Sequence, residues 1–441
     1  MTESHELTGN RRSRSLTVSI EGLALALTRP IPVAILRAAA LLKAYLVFSI
    51  LPTRVKDWDF DLYYVSALAL RENQNPYTVD YKALAARLGI AVTPDWESPD
   101  TPMLLLCFEP LTKLPMNEAF WIWTSLNLVA LTVTLFMLLR PSTTGLSPPM
   151  GLTIAAMTIL YDPVAMNFEY AQRQIVILLL LVIAMRAMER DYDWPTGIAL
   201  AVAGSLSAFP LLLIVYLALA VRWRTVRCAV ISLVAVGIMT IVMVGAPCVD
   251  FVRGLGWASQ RKFLELSVNP ALGPTVSRFF WFTSGFGLGE EHDSLRRVAV
   301  VLAEAVILAM TLRATMRIER SDRDGRAFSL WLITSIMLSP VAWPHYLALL
   351  IIPYVQLAIA GQAGRIKGRA LLMALGSYMV MQFSRRSGGV ADLPLILKTL
   401  LEEFSSVSLL MAFVATCWFV TDYRISHQTS TVEVAYATGA H

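Results

Sequence analysis

Three aspartates, Asp57, Asp59 and Asp61, alternate with Trp58 and Phe60 and run into Tyr63 and Tyr64, directly after an apolar run over 31–51. Carboxylates beside hydrocarbon are costly and are kept there for a use. Such a group can accept a proton from a reacting hydroxyl as a general base or couple an ion, or it can be a solvated loop acid. Elsewhere, polar residues interrupt apolar stretches at Asp162, Asn167, Glu169, Gln172 and Gln174, at Asn269 and Arg278, and at Ser339 and His345. Taken singly, the amides read as helix caps or satisfied buried groups, His345 between Pro344 and Tyr346 as a packed histidine, and Trp257, Trp281 and Trp343 as interfacial belt residues. Four loops offering carboxylate, amide, guanidinium and imidazole to one face make a site.

Whether these groups meet depends on the elements that carry them. Of the 441 residues, 56% are hydrophobic and 16% charged, with a mean hydropathy of +0.58. Soluble domains carry roughly 25% charge, and apolar runs of spanning length recur here, so the class is an all-α polytopic membrane protein. The net charge of +5 comes from arginines at the ends of apolar runs, and no RNA- or DNA-reading motif accompanies it; no nucleic-acid partner is expected. Cys107, Cys228, Cys248 and Cys417 are scattered, with no CxxC and no histidine at metal spacing, and read as apolar filler. Arg11, Arg12, Arg14 and Arg29 mark residues 1–30 as a cytosolic tail, without the short apolar core and cleavage site of a signal peptide.

Apolar segments fall near 31–51, 117–140, 150–163, 174–189, 196–209, 210–222, 226–246, 295–316, 327–340, 343–361, 368–384 and 405–422. Arg140, Arg186 with Arg190, Arg222 to Arg227, Arg313 to Arg326 and Arg365 to Arg369 all occupy short connections that alternate correctly for the cytosol. The expectation is about twelve crossings in one membrane domain over 31–422, with a cytosolic C-terminal tail at 423–441. Pro210 splits 196–222 into a broken hairpin, which keeps Arg190 and Arg222 on one side. Two long outer loops follow, 52–116 and 247–294. The first is expected to hold surface helices near 61–71 and 79–88 and an apolar stretch, 101–115, too short to span.

Asp59-Phe60-Asp61-Leu62-Tyr63-Tyr64, followed by Asn75-Pro76-Tyr77, resembles the opening of glycosyltransferase family 87, a D-F-x-x-Y-x and then x-P-Y pattern. Thr101-Pro102 through Leu114-Pro115 is similar to the family's Y-P-P-L segment, and Trp123 with Asn127 fits its W-x-x-x-N. Asp162-Pro163 and Ala171-Gln172-Arg173-Gln174 stand at its N-P and G-Q-x-N. Ser339-Pro340-Val341-Ala342-Trp343-Pro344-His345-Tyr346 matches S-P-x-x-W-x-H-Y, the most specific piece. The likeness runs in order from about residue 31 to 361. It departs at the lysine of the family's K-x-x-P, where Ser207 stands, and at the glycine of G-Q-x-N, where Ala171 stands.

The resemblance implies the GT-C architecture of membrane glycosyltransferases, with an outer-face site. It also implies a polyprenyl-phosphate sugar donor, a mannose-like or arabinofuranose-like sugar, a glycolipid or glycan acceptor, and neither metal nor cofactor. It makes Asp59 the catalytic base and an inverted anomeric centre the outcome. With Ser207 in place of lysine, neutralising the leaving phosphate falls to Arg173 or Arg278, helped by His345. Asp61, Tyr63, Gln172, Gln174 and Asn269 complete the expected substrate contacts. The location implied is the plasma (inner) membrane, with the site facing the periplasm or outside. Competing readings are a secondary transporter with outer-face carboxylates, against which the missing inverted repeat counts, and an assembly subunit that has lost catalysis.

Overall fold

The computed structural model describes residues 30–55, 59–90, 100–254, 268–284, 293–318, 323–384 and 403–437. Asp57, Trp58, Trp96, Trp257, most of the N-terminal tail, and parts of both long outer loops lie outside the described residues, as does the side chain of Trp281. Everything regular among the described residues is helical. Helix α1 covers Pro30–Ile50 and ends in a 3-10 turn, Leu51–Arg54; α2 covers Asp59–Arg71, α3 Tyr81–Ala86, α4 Pro102–Phe108 and α5 Met116–Leu139. Then follow α6 (Pro148–Leu160), α7 (Asp162–Glu169), α8 (Gln174–Met188), α9 (Asp193–Leu206), α10 (Leu212–Leu219), α11 (Trp223–Val244) and α12 (Pro247–Gly254). The chain closes with α13 (Leu272–Ser284), α14 (Asp293–Arg317), α15 (Arg323–Met337), a 3-10 segment Pro344–Leu350, α16 (Ile351–Gln362), α17 (Gly368–Ser384) and α18 (Phe404–Ala437).

Every one of the twelve apolar segments coincides with a helix or a helix pair. Six stretches among the described residues are long and apolar enough to cross a membrane: Pro30–Arg54, Met116–Leu139, Trp223–Val244, Ser294–Arg317, Pro344–Gln362 and Phe404–Asp422. A seventh results if α6 and α7, bent by 54° at their junction, count as one span. The break lies at Tyr161, whose backbone is extended (ψ 118°), and Pro163 follows within the first turn of α7, where its missing N–H leaves no helical bond unmade. Lys43 of α1 caps the break by donating to the Leu160 carbonyl and the Asp162 carboxylate.

The segment over 193–222 turns back on itself. Arg222 pairs with Asp191 at 2.9 Å, and the Thr225 hydroxyl donates to the Asp193 carboxylate, so its entry and exit lie together. Helices α9 and α11 therefore run parallel, which Gly197 permits: a Cβ there would lie 2.6 Å from the Ala229 nitrogen. Chain reversal occurs at Ser207 and Ala208, ahead of the 3-10 turn Phe209–Leu211 that contains Pro210.

One expectation fails. The helix near 61–71 is not on the surface: Phe60, Tyr63, Tyr64, Val65, Ala67 and Ala69 are all buried. Its aromatic and small residues occur on every side, so no polar face is left for solvent. Phe60 meets Phe120 edge-on at 5.2 Å, and Tyr63 meets Phe108 at 5.3 Å, which clamps α2 between α4 and α5.

Candidate active site

Asp59 and Asp61 open α2, where the helix dipole favours negative charge. Asp59 is half-buried and Asp61 fully buried. Being two residues apart on a helix, they do not share a face. Opposite Asp59 sits the turn between α7 and α8. There Ala171 takes a left-handed backbone, φ 49°. Its N–H donates to Phe168 O at 3.2 Å, and the next N–H, of Gln172, donates to Asn167 O at 2.8 Å. These paired bonds are the Schellman ending of a helix, a geometry that glycine adopts most readily. The Trp123 indole of α5 donates to Ala171 O at 2.7 Å, and Asn127 donates to Trp123 O at 3.0 Å, which braces the turn from the side.

The turn aims two side chains at α2. The Gln172 amide nitrogen donates to the Asp59 carboxylate, while its carbonyl accepts from the Tyr63 hydroxyl at 2.7 Å. The Arg173 guanidinium donates to the Tyr63 oxygen at 3.1 Å and to Asp100 Oδ1 at 2.6 Å. Asp100 is placed by the Tyr77 hydroxyl, which donates to its backbone carbonyl at 2.9 Å. Tyr77 is held in turn by the Asn75 side chain, whose oxygen accepts its N–H at 3.0 Å. Asp59, Gln172, Tyr63, Arg173 and Asp100 thus form one continuous chain of polar contacts.

Burial pushes the Asp59 carboxyl up to about 6, and the nearby negative charge of Asp100 adds to the effect; Arg173 and the Gln172 hydrogen bond oppose it. Asp100 is also raised by burial, against the opposing charge and hydrogen bond of Arg173. For Arg173 itself, desolvation acts downward, but the surrounding Tyr63 and Asp100 leave it above its ordinary value. An arginine so held stays charged. A carboxyl near 6 is ionised at neutral pH yet basic enough to take a proton in a transition state.

The remaining predicted residues divide. His345 is buried on the 3-10 segment, stacked against Trp343 at 6.5 Å and facing Tyr170 at 6.3 Å. The Asn167 side chain ties it down by donating to His345 O at 2.9 Å. His345 Nε2, Asn167 Oδ1 and both polar atoms of the fully buried Gln174 have no hydrogen-bond partner among the described residues. Buried polar atoms are rarely left so, and here they lie on elements that converge on Arg173.

Asn269 and Arg278 belong to a different cluster. Asn269 Oδ1 accepts from Ala271 N at 3.2 Å and Ala342 N at 3.0 Å, fixing the 339–343 segment to the start of α13. Arg278 forks onto Glu403, with Nη2 to Oε2 at 2.8 Å, and also reaches Asn269 O at 2.9 Å. Its guanidinium is committed there and not brought to Asp59. Ser207, at the position of the family lysine, is buried just beyond α9. No cluster of three or more metal-binding side chains occurs among the described residues.

Three residues escaped the sequence reading. Asp100 hides as the residue before the Thr101-Pro102 helix start. Arg54 ends the turn after α1, within electrostatic reach of Tyr170, which also feels Asp59. An arginine at the expected outer end of a span breaks the positive-inside pattern, and that was the available signal. Glu403, the partner of Arg278, gave none.

A sequence model of the family described as "Glycosyltransferase family 87" matches residues 100–340, more than half of the chain. Asp100, Gln172, Arg173, Asn269 and Arg278 lie inside that stretch; Asp59 and His345 lie outside it. Among characterised proteins, the chain is 26% identical over 285 residues to the polyprenol-phosphate-mannose-dependent alpha-(1-2)-phosphatidylinositol pentamannoside mannosyltransferase of Mycobacterium tuberculosis (strain CDC 1551 / Oshkosh), covering 64% of this chain and 63% of that relative. It is 25% identical over 288 residues to the same-named protein of Mycolicibacterium smegmatis, covering 64% and 66%. A polyprenol-phosphate-mannose-dependent alpha-(1-2)-phosphatidylinositol mannoside mannosyltransferase of M. smegmatis is 26% identical over 271 residues, covering 56% and 58%. The chain therefore matches between 58% and 66% of these relatives' length.

Proposed function

Because this chain belongs to glycosyltransferase family 87, we propose that it is a membrane glycosyltransferase that moves a sugar from a polyprenyl-phosphate donor to a hydroxyl of a glycolipid acceptor. The observation that carries this reading is the buried polar chain from Asp59 through Gln172 and Tyr63 to Arg173 and Asp100. The relatives' names favour mannose as the sugar and a phosphatidylinositol mannoside as the acceptor.

In this mechanism Asp59 takes the proton of the acceptor hydroxyl. The acceptor oxygen then bonds to the anomeric carbon as that carbon's bond to the phosphate oxygen breaks, and the polyprenyl phosphate leaves with the electron pair. Attack opposite the leaving group inverts the anomeric centre. Gln172 orients the carboxylate by holding one of its oxygens. The phosphate gains charge as it leaves, and Arg173, with Arg54 near the same turn, supplies cation where Ser207 replaces the family lysine. His345 and Gln174 contribute donors and acceptors to the sugar or phosphate. Asp61 stays in the packing of α2. Arg278 and Asn269 act at a distance, by holding the 339–346 segment. No step requires a metal if guanidinium and amide groups carry the charge.

The arginine distribution supports twelve crossings, with both termini in the cytosol and the Asp59 end facing outward from the plasma membrane. The test gives purified protein radiolabelled polyprenyl-phosphate mannose or GDP-mannose, each with a lipid acceptor and a chelator. Transfer is expected only from the lipid-linked sugar. Transfer from the nucleotide sugar alone, or abolition by the chelator, refutes the proposal.

A further inference from the structure

Two side chains of α12 reach the turn that places Asp100. The apolar helix α11 ends at Gly245, whose φ of 73° lets the chain leave the helix sharply, and α12 starts at Pro247. Asp250, in the first turn of α12, is 31% exposed. One of its oxygens accepts from the Asn75 amide nitrogen at 2.7 Å, across 175 residues of sequence. The other accepts from Arg253 at 3.3 Å. Phe251 lays its ring against Tyr77, with 5.5 Å between centroids.

The two ends of the Asn75 amide do different work. Its oxygen accepts the Tyr77 N–H at 3.0 Å, and its nitrogen donates to Asp250. A carboxylate can only accept, so Asp250 fixes which end of the amide faces Tyr77. A hydrogen bond to a charged group is also stronger than one between neutral groups. Tyr77 carries the constraint inward: its hydroxyl donates to Asp100 O at 2.9 Å, and Asp100 Oδ1 accepts from Arg173 at 2.6 Å. The second Asp100 carboxylate oxygen is buried with no hydrogen-bond partner among the described residues, which makes its placement sensitive to the backbone that Tyr77 holds. The titratable groups acting on or feeling Asp59 are Asp100 and Arg173, with Tyr63 on its own helix and Tyr170 after α7, on which Arg54 also acts. Of the two charges, Asp100 has the larger effect on Asp59.

We propose that Asp250 is a positioning residue for the transfer site: through Asn75 and Tyr77 it sets how far the Asp100 charge stands from Asp59 and keeps Arg173 in place. It touches no reacting atom and acts only through this chain of contacts. Its part in transfer rests on the reading given above; its effect on Asp59 does not.

The titration of Asp59 tests this without any sugar transfer. The purified full chain, with isotope-labelled aspartate carboxyls, is followed by NMR against pH, and Asp59→Asn assigns the resonance. The Asp59 midpoint should fall by up to about one pH unit in Asp250→Ala and in Tyr77→Phe, because a like charge moves away. It should keep the wild-type value in Asp250→Asn, which loses the charge of Asp250 but retains an acceptor for Asn75. Added to Asp100→Asn, Asp250→Ala should cause no further fall, since no charge remains at residue 100 to be displaced. A general loosening of the site would shift the midpoint on both backgrounds. Tyr77→Phe leaves α12 untouched, so it reports even if Asp250→Ala fails to fold. An unchanged midpoint in Asp250→Ala or Tyr77→Phe, an equal fall in Asp250→Asn, or the same fall on the Asp100→Asn background overturns the proposal. Absence of transfer by the wild-type protein would instead overturn the transferase reading, and the midpoints would still decide this one.

Discussion

Asp59 is suited to base chemistry because its surroundings oppose one another: burial and Asp100 raise its proton affinity, while Arg173 and Gln172 limit the rise. Asp59→Asn keeps the shape and the Gln172 contact but cannot take a proton. Turnover is expected to fall by about 10²–10⁴-fold with the unfolding temperature nearly unchanged; near-wild-type turnover would remove Asp59 from the mechanism. The base must be ionised, so kcat/KM should rise with pH through about 6, the value to which its carboxyl is pushed. Asp100→Asn removes the neighbouring negative charge and leaves Arg173 to act on Asp59 alone. Both changes favour the ionised form, so the acid limb of the profile should move to lower pH; a move to higher pH would contradict the electrostatic account. Arg173→Ala should weaken donor use by about tenfold or more, the cost of losing a charge-assisted hydrogen bond, measured as KM for the lipid-linked sugar.

At the scale of elements, the site depends on how α7 ends. Gln172 and Arg173 reach α2 because Ala171 reverses the chain in a left-handed conformation that non-glycine residues adopt at a cost. The G-Q-x-N pattern that this segment resembles has glycine at this position, the residue that takes positive φ at least cost. Ala171→Gly should therefore keep both turnover and thermal stability. Ala171→Val, β-branched at positive φ, should lose about 1–2 kcal/mol of stability and lower turnover, read by thermal unfolding and transfer assays on the same preparation. Equal behaviour of the two variants would mean that the turn does not set the site. Gly197 plays a comparable part in the membrane core. A methyl group there meets backbone atoms of Cys228 and Ala229 under 3.0 Å, so Gly197→Ala must part α9 from α11, at a cost of about 1–3 kcal/mol.

For the whole molecule, orientation is the property that joins chemistry to biology. With cysteines replaced, an impermeant thiol reagent applied to intact cells should label Lys82→Cys, an exposed position on α3, and not Arg224→Cys, an exposed position at the start of α11 close in sequence to the Arg222–Asp191 pair. Labelling in the opposite pattern would put Asp59 in the cytosol and exclude a flipped lipid-linked donor.

The amino-acid sequence by itself determined the class, the helices and the broken hairpin at Pro210, because hydropathy and arginine placement are local signals and lipid leaves a chain few alternatives. The resemblance to the family also marked Asp59, Tyr63, Gln172 and Arg173 as expected site residues, and the structure brings these four side chains into one chain of contacts. The sequence could not say that Arg278 is spent on Glu403, 125 residues away, nor that Asp100 stands between Arg173 and Tyr77. It likewise missed that α2 is buried, since two faces of a helix become inside or outside only when other helices arrive. Those outcomes belong to long-range packing: an ion pair or a buried face is created by two segments meeting, and neither segment records its partner.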